Sequence, residues 1–103
     1  MKGIRLTDSQ AQTIREVFKQ CFCETDKLWL FGSRADLSKK SGDIDLYIET
    51  ALTNTSVITK AKFSFITKLN IRLGDQKIDV VIKCDETELL IYKIAREEGI
   101  QLV

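Results

Sequence analysis

The sequence predicts an α+β chain, a small mixed β-sheet flanked by helices. Three observations carry this. Apolar runs of strand length stand at Lys27–Phe31, Asp43–Glu49 and Lys77–Lys83. Longer stretches repeat their apolar residues at helical spacing between and around those runs. The connections are of two kinds. The first two strands are joined by a loop too short for a parallel crossover, which predicts an antiparallel pair. A full helix separates the second strand from the third, which permits a crossover.

The elements follow in order. Thr7–Cys23 is the first helix, with Thr7 and Gln10 forming a capping box and Ile4 in a hydrophobic lead-in. Ala11, Ile14, Val17, Phe18 and Cys21 make its apolar stripe. Glu24–Asp26 turns into the first strand, Lys27–Phe31, where Trp29 is expected in the core. Asp36–Gly42 is a polar loop, and Asp43–Glu49 is the second strand. A polar connection over 51–56 leads to a helix from Ser56 to Leu73. Val57, Ala61, Phe65 and Leu69, beside Ile58, Ile66 and Leu73, form its expected buried face, and Gly74-Asp75 stops it. Lys77–Lys83 is the third strand. Asp85 is expected to cap a helix over Glu86–Glu98, with Glu88 completing the box and Leu89, Ile91, Tyr92 and Ile94 as its apolar positions. Gly99 ends it, and Ile100–Val103 is expected as a short edge strand. There is no proline, repeat or low-complexity tract, so residues 1–103 are read as one domain.

Composition narrows the chemistry. Hydrophobic residues make up 44% and charged residues 30% of the 103, as in an ordinary globular chain. The net charge of +1 gives no general drive toward nucleic acid, and direct nucleic-acid binding is not expected; Lys39 and Lys40 are the one basic pair beside the site. No stretch has the roughly 18 apolar residues of a membrane span, and Met1–Arg5 shows no hydrophobic signal region. Cys21, Cys23 and Cys84 lack metal-ligand spacing and are read as reduced thiols, which fits a cytoplasmic location. The chain contains no histidine. Ser-His-Asp and Cys-His catalysis and histidine metal sites are thereby excluded. Chemistry must run on carboxylates, hydroxyls, amines or thiols.

Carboxylates are where the sequence points. Asp43 and Asp45 open the second strand and Asp79 opens the third. Residues two apart on a strand share a face, so Asp43 and Asp45 project together while Ile44, Leu46 and Ile48 face the other way. Paired acids at the start of apolar strands cost desolvation and repel, and a divalent cation is the usual remedy. Hard oxygen ligands suit Mg²⁺, with Mn²⁺ as the alternative. Upstream, Gly32 allows close backbone approach to a bulky ligand. Ser33 offers a hydroxyl and an N–H to a phosphate oxygen, and Arg34 offers a charge. Tyr47 and Glu49 share the face of Asp45; sheet packing is the expected role of Tyr47.

Gly32-Ser33, a spacer of nine residues (34–42), Asp43-x-Asp45 and the later strand acid Asp79 together resemble the signature of the DNA polymerase β-type nucleotidyltransferase superfamily. The spacer is one residue shorter than the commonest in that superfamily. Within it, the short length and the text Gly32-Ser33-Arg34-Ala35…Gly42-Asp43-Ile44-Asp45-Leu46 resemble the minimal nucleotidyltransferases, and the pattern covers nearly the whole chain.

The resemblance implies a polymerase β-like fold in which strands two and three are neighbours, bringing Asp79 beside Asp43 and Asp45. It implies ATP as substrate, with its phosphates against Gly32, Ser33 and Arg34. It makes Asp43, Asp45 and Asp79 both the catalytic residues and the ligands of Mg²⁺. It implies transfer of a nucleoside monophosphate, AMP by expectation, to a hydroxyl. After the catalytic unit the chain has no segment left to grip an acceptor, so a partner or a second copy is expected to supply it. Minimal nucleotidyltransferases are typically paired with an all-helical HEPN partner, as the antitoxin of a toxin–antitoxin pair. Two alternatives stand beside this: a non-catalytic antitoxin that neutralises its partner by contact, and a subunit transferring nucleotides to an antibiotic-type small molecule.

Overall fold

The computed structural model of the protein describes residues 6–32, 44–74 and 77–103. The assignments made for Ser33, Arg34 and Asp43, the Lys39–Lys40 pair, the 36–42 loop, Ile4 and Asp75 lie outside the described residues.

The architecture is α+β. Helix α1 spans Asp8–Cys21, strand β1 Lys27–Phe31, β2 Ile44–Glu49, helix α2 Thr55–Leu73, β3 Ile78–Lys83, helix α3 Leu90–Glu98 and β4 Ile100–Gln101. The strands form one sheet in the order β3-β2-β1-β4. β1 runs antiparallel to β2, as the short connection predicts, and also to β4. β2 and β3 are parallel, with α2 as the crossover.

Each face of the sheet has its own core. Leu28, Leu30, Ile44, Leu46, Ile48 and Val80 turn to one side and meet Ile14, Val17 and Phe18 of α1 and Phe65 and Leu69 of α2. Phe18, Phe22 and Phe65 form an aromatic triangle there, with ring centroids 5.1–5.9 Å apart. Full burial of a side chain of this size stabilises by about 1.5–3 kcal/mol, and this face holds more of the buried apolar residues than the other. The alternate residues, Trp29 and Tyr47, turn to the other side, where Ala95 and Tyr92 of α3 cover them. Tyr47 lies between Trp29 (5.3 Å) and Tyr92 (5.5 Å). The period-two alternation read from the strands is thus observed, and so are the core positions of Trp29 and Tyr47.

The start of α1 is as expected: Thr7 accepts from the Gln10 N–H and Gln10 accepts from the Thr7 N–H, both at 3.0 Å. Its end differs. The helix stops at Cys21 rather than Cys23, because Asp26 Oδ2 captures the Cys23 N–H at 3.0 Å and holds the chain in a turn. α2 begins one residue earlier than expected, capped by Asn54, whose Oδ1 accepts from the Val57 N–H. Val57 itself is 46% exposed. A row spaced by four residues drifts about 40° per step around a helix, so Phe65 and Leu69 face the core while Val57 has rotated out of it.

The largest departure is at α3, which begins at Leu90, not Glu86. Asp85 Oδ1 accepts from the Thr87 N–H at 2.8 Å, a local turn that competes with helix capping. Glu88 closes no capping box; it is paired with Arg96. Leu89, Leu90 and Ile91 are consequently at least 39% exposed, and α3 packs through Tyr92 and Ala95. Among the described residues no helix is long and apolar enough to cross a membrane.

Candidate functional site

The strand register places the acids. Phe31 stands opposite Asp45 in the antiparallel pair, and Asp45 stands opposite Asp79 in the parallel pair. Phe31, Asp45 and Asp79 therefore form one row across three strands, on the face that carries α3. Neighbouring strands lie about 4.8 Å apart, so the two carboxylates share one patch of surface. Asp45 is half-buried and Asp79 is exposed. α3 covers the next row, Trp29–Tyr47–Val81.

Gly32 follows β1 directly and has φ of +72°, a conformation that L side chains rarely adopt. The Asp45 carboxylate lies against its α-carbon. A Cβ built at Gly32 would overlap Asp45 Oδ2 and stand 3.1 Å from Asp45 Cγ. Glycine is required here by the chain's own aspartate, a reason the sequence alone does not reveal. Backbone, rather than a side chain, flanks Asp45 on this side.

Asp45 and Asp79 are oxygen donors of the kind a hard divalent cation takes; among the described residues no group of three or more such ligands is gathered. Asp43, the third acid assigned to it, lies outside the described residues, as do Ser33 and Arg34; Gly32, Asp45 and Asp79 are brought together.

A polar network adjoins this row. Tyr47 donates to Glu49 Oε2 at 2.7 Å, and Arg96 donates to the Tyr47 oxygen and to Glu49 Oε2, each at 3.1 Å. The other arm of Arg96 pairs with Glu88. Arg96 thereby ties α3 to β2. Nothing in its local sequence marks it, because its partners sit 8 to 49 positions away. Burial, and next the bond to Glu49, push the Tyr47 phenol well above the ordinary tyrosine range. The folded form holds its proton at a pH where an unfolded tyrosine loses it. The associated stability is complete below about pH 10 and declines as pH rises beyond it toward the raised value. Tyr47→Phe is expected to flatten that decline. Urea midpoints of both proteins at about pH 8 and pH 10.5 check this; equal losses in the two would contradict it.

The far ends of β2 and β3 hold a shallow cavity of about 240 Å³, lined by Glu49, Thr50, Lys83, Cys84 and Asp85 among others. Asp45 and Asp79 stand near the opposite, N-terminal ends of the same strands, so this cavity is separate from the acidic row. The three cysteines are free thiols.

No family model matches this chain, and no curated protein matches it.

Proposed function

We propose that the protein is a Mg²⁺-dependent nucleotidyltransferase of the polymerase β type, transferring AMP from ATP to a hydroxyl of a partner protein, as the antitoxin of a pair with a helical HEPN-type toxin. The observation that carries this reading is the register of Asp45 against Asp79 on parallel neighbours, beside Gly32 at positive φ. That arrangement supports the motif reading of Gly32-Ser33, Asp43-x-Asp45 and Asp79, which is otherwise only a pattern of letters. The absence of histidine supports it as well, since carboxylates are left to do the proton transfer.

Asp43, Asp45 and Asp79 would hold the Mg²⁺. A bound divalent cation neutralises phosphate charge and orients the α-phosphorus. Gly32 and Ser33 present backbone and hydroxyl to the triphosphate, and Arg34 adds a charge. Asp79, the exposed acid, faces the side from which an acceptor arrives. Its carboxylate takes the hydroxyl proton as the acceptor oxygen bonds to the α-phosphorus. The bond from that phosphorus to the bridging oxygen breaks, and pyrophosphate leaves with the electron pair. Cytoplasmic ATP and Mg²⁺ supply what this reaction needs.

The test is incubation with α-labelled ATP, Mg²⁺ and whatever protein co-purifies with the chain. Label on that protein, lost with a chelator, is the expected result. A partner that binds and stays unlabelled would favour neutralisation by contact.

A further inference from the structure

The outer side of β3 is the second feature of this fold with a specific chemistry. Among the described residues β3 is an edge strand of the sheet, six residues long and continuous in register with β2. Lys77 O and Lys83 O accept from β2-side N–H groups, at 2.9 and 3.0 Å. Backbone polar groups alternate in direction along a strand. Ile78, Val80 and Ile82 therefore turn their N–H and C=O outward. One of these carbonyls, Ile82 O, receives the Tyr92 hydroxyl at 3.4 Å, and a carbonyl has a second lone pair to offer. Edge strands are usually blunted by proline, a bulge or charges that repel a copy. β3 has no proline and no break in its register. Its charges are of opposite sign.

We infer that β3 pairs antiparallel with β3 of a second copy about a two-fold axis at Val81, joining two sheets into one. In that register Asp79 faces Lys83 of the second copy, and Lys83 faces its Asp79. Lys77 and Asp85 oppose each other in the same way just beyond the strand ends. On the other face Val80 meets Ile82, and these outward-turned residues exchange both backbone hydrogen bonds. Shifting the register by two residues one way sets Lys77 against Lys83. Shifting it two the other way sets Asp79 against Asp85. Like charges directly opposite are destabilising, so the charge pattern selects one register and a self-complementary, closed dimer. The Lys83 ammonium rests on the Asp85 carbonyl of its own chain at 2.6 Å and has further donors to offer. The pairing sets a lysine of the second copy beside Asp79, at the β3 end of the acidic row.

Sedimentation equilibrium of the full chain tests this without reference to nucleotide. The wild-type chain is expected to be a dimer. Asp79→Lys sets lysine against lysine at both symmetry-related 79–83 pairs, and Lys83→Asp sets aspartate against aspartate there. Each variant alone is expected to dissociate on the order of tenfold more readily. An equimolar mixture of the two is expected to regain the wild-type affinity, because both 79–83 pairs then set lysine against aspartate. Val81→Cys is expected to form a disulfide between the two copies, located by mass spectrometry. A monomeric wild-type chain, single variants that dimerise like wild type, or a mixture no tighter than its components would each overturn the pairing. Loss of ATP binding would leave it untouched.

Discussion

Asp26→Ala is expected to cost on the order of 3 kcal/mol of folding stability, the largest loss from any single polar substitution among the described residues. Asp26 is 2% exposed. Its two oxygens accept from the Cys23 N–H at 3.0 Å, the Thr50 hydroxyl at 2.6 Å and the Ala51 N–H at 2.9 Å. Thr50 in turn accepts from the Leu52 N–H at 3.1 Å. One carboxylate thus closes the turn between α1 and β1 and fastens it to the connection between β2 and α2. Truncation removes the shared acceptor of three donors, two of them backbone groups, at part-buried positions. A hydrogen bond to a charged acceptor contributes about 1.5–3 kcal/mol, and the three do not add in full because they share one partner. Against a total of about 5–15 kcal/mol for a domain of this size, the loss is large. Asp26→Asn should recover little, since its amide would turn N–H toward N–H. Thr50→Ala, which removes one donor and leaves the carboxylate, should cost about 1 kcal/mol. Urea titrations rank the three; an Asp26→Ala loss no greater than that of Thr50→Ala would refute the clamp.

Asp26 also shows where sequence reading stopped. The local triplet Glu24-Thr25-Asp26 marks a turn, and a turn is present. That one of its acids would be buried depends on Thr50 and Ala51, which lie at the end of another strand. Arg96 is the same case: its partners Tyr47 and Glu49 come from β2. Local and periodic signals fared better. The Thr7–Gln10 box needs only four consecutive residues. The alternation in β2 needs only the pleat, and it correctly separated Asp45 and Tyr47 from Leu46 and Ile48. The start of α3 was misjudged because two local signals competed. Asp85 with Glu88 spells a capping box, but the Asp85 side chain bonds two residues on rather than three, and the helix starts later. Gly32 was marked for close backbone approach to a ligand, and the positive φ found there is the conformation that reading invites. The group that crowds it is Asp45, across a strand pair that the letters alone do not register.

Asp45→Asn is expected to lower metal-dependent transfer by about three orders of magnitude, the several kcal/mol that a cation contributes to charge stabilisation in such sites. The fold should survive or gain slightly. Asp45 and Asp79 are in register on adjacent strands, and neutralising one of two neighbouring carboxylates removes a repulsion. The substitution also keeps the shape that Gly32 accommodates. Mg²⁺ should raise the melting temperature of the wild-type chain, since a ligand that binds only the folded state stabilises it, and should leave Asp45→Asn unmoved. Asp79→Asn separates the roles of the pair. Asp79 is the more exposed and is assigned to the acceptor side, so turnover should fall further than ATP affinity. Equal losses of both would return Asp79 to a purely ligand role. Transfer that persists in Asp45→Asn, with an unchanged response to Mg²⁺, would remove the acidic row from the mechanism. The two carboxylates would then be acids at the starts of β2 and β3 with no part in chemistry, and Gly32 would be glycine for packing alone.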